Sequence, residues 1–447
     1  MLCLGMVPQE PQATSHKQVP SDEPSPAERA AATDAHYLNI PVSRLSELLD
    51  DPKHRVSPAF HVPEELKPVV GFWLKVYAKY SLYQTLVYDR NHQEIVYEVI
   101  DSRELFQKGL SPVALEVTSK NRIKRVLASY KAAMHTLARN PKARFPTGTA
   151  GANLIRLWGR RNSREWKQIE AGIRTQPGQR DRIMQGLAAA DPFIPAMEAI
   201  FRKFAIPIEI TRLPLVESSF VLEAKSKAAA VGVWQFLERS ATGDDLVVDS
   251  DNEIDERLSP IKSTAAAAKM FRRNYRLLHD WGLAIIAYNH GPKNLVPIRD
   301  RYGGKNIVKL LQKTSNTPLG YASRNYYAEF LALLHAERYR DEIYGFIPQH
   351  HPDAISIVKL KAPASVFQIA AMYNISIHEL RTFNPDIFNP RRKLPAGTRV
   401  VLPRKHGESI VLAPSLRPNE LPAPTRGDGG EAERGIASEE EFIEYVK

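Results

Sequence analysis

The amino-acid sequence predicts a mainly α protein, with a small α+β region before its helical part and a strand-helix-helix-strand module after it. The main observation is a set of apolar stripes whose members recur every three or four residues, the pattern of a helix with one buried face. The stripes comprise Met197, Ile200, Phe201 and Phe204; Ala268, Phe271, Tyr275 and Leu278; and Tyr327, Phe330, Leu331 and Leu334. Two β-favouring runs near residue 90 and a short alternating run after residue 353 predict the remaining elements.

The composition is that of an ordinary globular protein. The chain has 447 residues, of which 43% are hydrophobic and 25% charged, enough for two to four domains with a sizeable core. A formal net charge of +11 favours anionic partners. We find neither zinc-finger spacing nor an aromatic RNA-binding signature, so nucleic acid is not predicted as a partner. A carboxylate-bearing cell-wall polymer suits the charge, as does a merely solvated basic surface. The sequence predicts no cofactor and no metal site.

The N-terminal segment, residues 1–50, reads as a flexible leader because its first part is rich in Pro, Ser, Gln and Ala. Its single cysteine, Cys3, excludes an intrachain disulfide. The start, MLCLGMVPQEPQ, is too short for a signal peptide and lacks a basic beginning. We expect it to be the end of an export signal whose beginning precedes this start site. A lipid-attachment remnant at Cys3, and hence a membrane anchor, is the second alternative.

Residues 51–150 are predicted to form an accessory α+β region that packs on the helical part of the chain. The β-favouring runs at 84–88 and 94–100 flank Asp89-Arg90-Asn91-His92, which indicates a hairpin. A helix with one apolar face comes next. Its apolar positions are Ile123, Val126, Leu127, Tyr130, Met134 and Leu137.

Residues 151–345 are predicted as the helical domain, with a helix that starts at Ser259-Pro260 as cap and first turn. After a short linker, residues 354–404 form the predicted small independent module. Its strands are expected at 354–360 and 399–402, and its helices at 366–373 and 377–382. Residues 405–447 are rich in Pro, Gly and Glu, which predicts a disordered tail.

Glu217 is the candidate for chemistry. It follows the apolar Pro214-Leu215-Val216 and has no basic residue beside it. Desolvation raises the pKa of a carboxyl group, and a carboxyl that holds a proton near neutral pH can act as general acid on a glycosidic bond. The alternative is a glutamate at a helix end that points to solvent, as most glutamates do.

Two further segments carry polar groups suited to a sugar. Small residues around Gly232 let backbone approach backbone or ligand, and Gln235 offers a donor and an acceptor to a hydroxyl or acetamido group. Trp234 is as well explained as a core residue as by sugar stacking. Tyr288 and Asn289 precede a helix stop at Gly291-Pro292, where Asn289 alternatively caps the helix. His290 is read as a passive residue at the helix end rather than as a base.

The order E-S at Glu217, G-x-W-Q-F from Gly232 and A-Y-N-x-G from Ala287 resembles the lytic transglycosylases of the soluble-lytic-transglycosylase, goose-lysozyme-like superfamily. Within it the W-Q-F form is most similar to the membrane-bound lytic murein transglycosylase D group. Ser323-Arg324-Asn325-Tyr326 resembles the T-R-N-Y element of the same family. The four elements span residues 176–336, and the resemblance implies a lysozyme-like fold for the helical domain.

The resemblance also implies roles. Glu217 matches the single catalytic acid, Ser226 and Gln235 match positions that line the glycan groove, and Tyr288 and Asn289 match the motif beside the acid. Tyr326 matches the tyrosine that approaches the cleaved sugar. The implied substrate is the peptidoglycan glycan strand.

The implied reaction cleaves the β-1,4 bond between N-acetylmuramic acid and N-acetylglucosamine and forms a 1,6-anhydro end, in the periplasm or cell envelope. Two alternatives stay open at this point: a non-catalytic peptidoglycan-binding scaffold, and a lysozyme-type hydrolase whose second carboxylate is Glu223 or Asp244. Glu223 lies in a polar loop that is expected to be exposed, and Asp244 lies in another polar loop that is expected to be solvated.

The predicted C-terminal module is similar to a LysM module, a class that binds glycans containing N-acetylglucosamine. The similar stretches include Asn374-Ile375-Ser376, Phe383-Asn384-Pro385 and Leu394-Pro395-Ala396-Gly397-Thr398. The usual glycine-aspartate-threonine-leucine turn, which borders the sugar groove in that family, is replaced by residues 362–366, APASV. The resemblance therefore implies the fold more firmly than tight glycan binding, and a packing or spacer role is the alternative.

Overall fold

The computed structural model describes residues 40–304, 307–312, 319–345, 347 and 355–403. The described chain is mostly helical, so the mainly α prediction is confirmed. The predictions for residues 1–39, for the linker and for the tail lie outside the described residues. None of the described helices combines the length and the apolar character needed to cross a bilayer.

Helices and strands are numbered in chain order. Helices α1 to α18 span Val42–Leu48, Lys67–Ala78, Arg103–Gln107, Pro112–Arg139, Ala150–Trp158, Ser163–Gly172, Arg180–Ala190, Ile194–Lys203, Leu213–Ser218, Glu238–Thr242, Pro260–Leu278, Trp281–His290, Pro292–Tyr302, Ile307–Gln312, Tyr321–Arg338, Arg340–Tyr344, Val366–Tyr373 and Ile377–Phe383. Strands β1 to β7 span Gln84–Asp89, Val96–Asp101, Ile173–Pro177, Val248–Asp249, Ile254–Asp255, Ile355–Lys359 and Arg399–Pro403. Short 3-10 helices span Pro58–Phe60, Glu64–Leu66, Ile208–Arg212 and Glu256–Leu258.

The described chain divides into two compact units. The first takes residues 40–185 and 280–347, and the second takes residues 186–279 and 355–403. The helical domain predicted at 151–345 therefore has residues in both units, and its boundaries stay a prediction.

In the first unit the predicted hairpin is confirmed and gains a third strand. Strands β1 and β2 pair antiparallel with Gln84 opposite Asp101, and β3 pairs antiparallel on the other edge of β1. Strand β3 was not predicted, because IRTQP has no clear alternation and follows a helix directly. The amphipathic helix is confirmed as α4, which Ser111 caps by accepting from the amide of Ala114. Tyr130, Met134 and Leu137 face its core.

The end of the predicted leader is wrong, because residues 40–50 are ordered. Helix α1 lies inside the predicted leader, and its Leu45 and Leu48 are 2% and 0% exposed. The carbonyl oxygen of Leu48 accepts a hydrogen bond from Nδ1 of His335 on α15 at 2.9 Å. Two buried leucines thus tie α1 to the first unit, although the segment before it is compositionally polar.

The buried side chain of His335 is expected to make the stability of the folded protein depend on pH. It is 1% exposed, and its Nε2 has no hydrogen-bond partner among the described residues. Burial lowers the pKa of His335 below its ordinary 6.5, because a second N–H would have no acceptor. The unfolded chain therefore takes up the proton first as pH falls below 6.5. As the pH falls below 6.5, the free energy of unfolding should therefore decrease by up to about 1.4 kcal/mol per pH unit because of His335, until the folded state is also protonated.

Chemical denaturation of the wild type and of His335→Gln from pH 8 to pH 5 checks this expectation. The variant should be less stable at pH 8, and the gap between the two proteins should narrow as pH falls. Parallel curves would show that His335 stays neutral in both states or ionises equally in both.

In the second unit α8 packs against α11, as the apolar stripes predict. Met197, Phe201 and Phe271 are 0% exposed. Helix α11 begins at Pro260, and the side chain of Ser259 accepts from the amide of Lys262, so the predicted cap-and-first-turn start is confirmed.

The strand-helix-helix-strand order predicted for residues 354–404 is the observed order of β6, α17, α18 and β7. Strands β6 and β7 pair antiparallel with Ile355 opposite Pro403. The prediction that this module is independent is wrong, because its core includes Ile254 of β5. Ile254 also forms a bridge with Ile387, and the amide of Asp255 donates to the carbonyl of Asp386 at 3.0 Å.

Candidate functional site

Glu217 lies in the last turn of the short helix α9. Pro214 occupies its first turn, where a missing amide hydrogen costs nothing. Leu215 and Val216 are buried, whereas Glu217 itself is half-buried. The helix ends at Ser219, whose backbone is left-handed with φ 51°. The predicted apolar setting of Glu217 is therefore present, and its side chain still reaches the surface.

Ser218 joins α9 to the loop after it. Its hydroxyl donates toward the carbonyl oxygens of Pro214 and Val233, each at 3.1 Å. The second contact crosses to the W-Q-F segment and fixes it against the turn that carries Glu217. Our prediction did not include Ser218, although its place next to the candidate acid was a signal that it could have used.

Residues 224–236 carry two of the predicted site residues, Ser226 and Gln235, and are called the active-site loop on the basis of that prediction; they fold back on themselves. The amide and carbonyl groups of Val231 and Phe236 bond each other at 3.0 and 3.1 Å, and the amide of Gly232 donates to Ala224. Gly232 has φ +78°, and a Cβ there would lie 1.9 Å from the carbonyl oxygen of Arg257. The predicted close approach of backbone at Gly232 is confirmed, and its partner is the 3-10 helix Glu256–Leu258.

Gln235 and Ser226 both lie in this loop and hold it together. Gln235 has φ 53°, and its Nε2 donates to the carbonyls of Gly232 at 2.9 Å and Ala224 at 3.3 Å. Its Oε1 accepts no hydrogen bond from the described residues. The hydroxyl of Ser226 accepts from the amide of Ala230 at 3.0 Å and keeps its own proton to donate. Both side chains are half-buried, so each offers one remaining hydrogen-bonding group.

Trp234 is a core residue rather than a surface for sugar stacking. It is 0% exposed, and its ring stacks on Phe201 with centroids 5.8 Å apart. Its indole N–H donates to the hydroxyl of Thr264 on α11 at 2.8 Å. The tryptophan therefore anchors the active-site loop while Gln235, next in sequence, lies at the surface.

Of the two carboxylates considered as a second catalytic group, one is placed as predicted and the other is not. Glu223 is exposed, as its polar loop predicts. Asp244, expected to be solvated, is only 4% exposed and binds both terminal nitrogens of Arg273, one of them at 2.8 Å. Its neighbour Asp245 is exposed and pairs with Lys269 at 2.5 Å. The carboxylate of Asp244 is thus committed to a salt bridge, which disfavours it as a second catalytic group.

Tyr288 and Asn289 occupy the last turn of α12 in the first unit, and Gly291 ends the helix with φ +85° as predicted. The Oδ1 of Asn289 accepts from the hydroxyl of Ser323 on α15 at 2.9 Å, and Nδ1 of His290 lies 3.2 Å from the same hydroxyl. Burial lowers the pKa of His290 below its ordinary 6.5, which favours the neutral form of its ring. The A-Y-N-x-G and S-R-N-Y elements are therefore in direct contact.

Tyr326 lies on α15 and is 2% exposed, so it packs as a core residue. Its neighbour Asn325 accepts at Oδ1 from Trp73 of α2 at 3.0 Å and from Gln93 of the hairpin loop at 2.6 Å. The accessory region thus packs against the first turns of α15, in agreement with the prediction that it packs on the helical part of the chain. An approach of Tyr326 to a sugar stays a prediction.

The six predicted site residues fall into two sets. Glu217, Ser226 and Gln235 belong to the second unit, and Tyr288, Asn289 and Tyr326 belong to the first. Across the described ranges there is no group of three or more His, Cys, Asp and Glu side chains that could hold a metal ion.

Part of this chain is similar in sequence to known proteins. Residues 198–310 match the family described as transglycosylase SLT domain. Over 239 residues the chain is 28% identical to membrane-bound lytic murein transglycosylase D of Escherichia coli (strain K12), and the match covers 52% of this chain and 51% of the relative. The protein of the same name from Escherichia coli O6:H1 matches to the same extent. The chain thus spans about half the length of the curated relatives it matches.

The family match contains five of the six predicted site residues and ends before Tyr326. The strand-helix-helix-strand module also lies outside it.

Proposed function

We propose that this chain is a peptidoglycan lytic transglycosylase that acts in the periplasm or cell envelope, because residues 198–310 match the transglycosylase SLT domain family. The observation that carries the proposal is the placement of Glu217. It is a half-buried carboxyl on an apolar helix, fixed through Ser218 to a loop whose Gln235 presents an amide oxygen.

In the proposed reaction protonated Glu217 gives its proton to the glycosidic oxygen between N-acetylmuramic acid and N-acetylglucosamine. The bond from the anomeric carbon to that oxygen breaks, and the 2-acetamido group stabilises the cationic sugar. The 6-hydroxyl of the same muramic sugar then attacks the anomeric carbon and passes its proton to ionised Glu217. One residue serves as acid and then as base, the product is a 1,6-anhydro end, and no water is consumed.

Hydrolysis is less well supported because it needs a second carboxylate. Of the two candidates, Asp244 is buried in its salt bridge with Arg273, and Glu223 is exposed.

We assign Ser226, Gln235, Tyr288, Asn289 and Tyr326 to the binding of the glycan, with Gln235 Oε1 and the Ser226 hydroxyl as the groups available in the active-site loop. We assign the module at 354–404 to the LysM class. An anchor to the membrane upstream of the described chain is compatible with this function.

Digestion of purified sacculi followed by mass analysis of the fragments tests the proposal. Fragments with 1,6-anhydro ends, lighter by one water than their reducing counterparts, are expected. Reducing ends would instead establish a lysozyme-type hydrolase. Sacculi that bind the protein but release nothing would establish a scaffold.

A further inference from the structure

The strand-helix-helix-strand module is joined to the second unit by buried charges. Nζ of Lys262, on α11, lies 2.5 Å from the carboxylate of Asp386, which precedes β7, and both side chains are 0% exposed. The same ammonium donates to the carbonyl of Arg399 at 2.7 Å and lies 3.5 Å from Glu256. The contacts of Lys262 with Asp386 and Arg399 connect residues that are 124 and 137 positions apart in sequence.

Arg399, the first residue of β7, completes the set. Its Nε donates to Glu256 at 3.1 Å. Its Nη2 donates to the other oxygen of the same carboxylate and also to the carbonyl of Asp245, the latter at 2.7 Å. Burial alone would raise the pKa of Glu256, yet Lys262 and Arg399 together hold it below its usual range. The carboxylate of Glu256 is therefore ionised, and Arg399 of the module binds both of its oxygens.

Glu256 also belongs to the 3-10 helix on which the active-site loop rests. Gly232 of that loop lies against the carbonyl of Arg257, the residue after Glu256. Trp234 bonds Thr264, two residues after Lys262. The loop in turn reaches the turn of Glu217 through Ser218 and the carbonyl of Val233. A continuous series of short contacts within the second unit thus runs from Arg399 to the residue beside Glu217.

We propose that the module positions the active-site loop through Arg399 and Lys262, in addition to any glycan that it binds. Arg399 and Lys262 are then positioning residues for the lytic reaction. The segment 256–264 is fixed on one side by charges from the module, and on its other side it supplies the backbone and the hydroxyl that hold Gly232 and Trp234. A displacement of about 1 Å at a catalytic group can cost on the order of 100-fold in rate.

This inference rests on the proposed function. It predicts that loss of the contact lowers kcat even on substrates too short to reach a separate binding module. The test uses the full chain with Arg399→Met, which keeps the length of the stem but removes the guanidinium. On a soluble tetrasaccharide of alternating N-acetylglucosamine and N-acetylmuramic acid, kcat should fall about 10- to 100-fold with little change in KM. Arg399→Lys, which retains a cation, should recover part of the loss.

Arg381→Met is the matched control. Arg381 is exposed on α18, in the same module, and has no contact with Glu256, so its replacement should leave kcat unchanged. If Arg399→Met turns over the tetrasaccharide normally and loses only its binding to sacculi, the module is a plain tether and the inference is wrong.

Hydrogen exchange separates this inference from the proposed function. Amides of residues 231–236 should exchange at least about tenfold faster in Arg399→Met, while amides of α8 and α11 stay protected. A wild type that releases no anhydro fragments, combined with this local change, would refute the proposed function and leave the coupling standing. Unchanged exchange in the loop would refute the coupling whatever the activity.

Thr264→Val provides a second variant of nearly equal volume. It cuts the bond to Trp234 without touching the charges, so the coupling stays testable if Arg399→Met does not fold. The same loop amides should exchange faster, and unchanged exchange would again count against the inference.

Discussion

Glu217→Gln is expected to abolish the release of anhydro fragments from sacculi, with a fall in rate of about 1,000-fold or more, because a general acid contributes about 100- to 10,000-fold. The amide has the shape of the carboxyl but can neither give a proton to the glycosidic oxygen nor take one from the 6-hydroxyl. Mass analysis of the soluble fragments over time measures the effect. A melting temperature close to that of the wild type should accompany it, since Glu217 is half-buried at a helix end.

Two further glutamates serve as comparisons. Glu238→Gln changes an exposed glutamate at the start of α10 and should leave the rate unchanged. Glu223→Gln changes the exposed carboxylate that a hydrolase would need. A large loss of activity in Glu223→Gln would point to a two-carboxylate mechanism, and full activity in Glu217→Gln would remove Glu217 from the chemistry.

The second large effect is expected at Gly232. An alanine there would adopt φ +78°, at a cost of about 1 kcal/mol. Its Cβ would also lie 1.9 Å from the carbonyl oxygen of Arg257, so backbone rather than a flexible side chain would have to move. We expect Gly232→Ala to lose several kcal/mol of unfolding free energy, as overpacking with backbone strain typically does, and most of its activity.

Gly397→Ala is the matched control for the backbone term. Gly397 has φ +86° in the same unit, and an added Cβ would meet nothing within 4 Å. Chemical denaturation should therefore show a loss of only about 1 kcal/mol for Gly397→Ala. Equal losses in the two variants would mean that the contact with Arg257 is relaxed at little cost, and the close packing of the active-site loop would then not be rigid.

Sequence patterns were reliable where the information was local. The hairpin of β1 and β2, the face of α4 and the cap at Ser259 depend on neighbours within a few residues, and all are confirmed. The apolar setting of Glu217 was readable for the same reason. Strand β3 and helix α1 were missed because each is stabilised by partners distant in sequence, β1 in one case and His335 in the other.

Charged residues show the same limit more sharply. Asp244 reads as a solvated loop aspartate, but Arg273 lies 29 positions later and buries it in a salt bridge. Lys262 reads as an ordinary helix lysine, yet its partner Asp386 is 124 positions away. Trp234 could be assigned to core or groove only once Phe201 and Thr264 were seen around it. The spacing of residues in the sequence does not predict which charged side chain will be buried against an opposite charge, because contacts between distant segments determine that pairing.

The buried pair of Lys262 and Asp386 bears on how this chain can be cut or recombined. Domains that are joined by a linker crossed by few contacts can in principle fold alone, so such a module can be deleted or replaced. Here, removal of the chain from residue 355 onward would uncover Ile254 and leave the ammonium of Lys262 without Asp386. Replacing Asp386 alone would leave the ammonium of Lys262 buried without that partner, and breaking a buried ion pair from one side typically costs about 3–5 kcal/mol. A replacement module would therefore have to supply an acid at the position of Asp386 and an arginine at the position of Arg399 to restore these contacts.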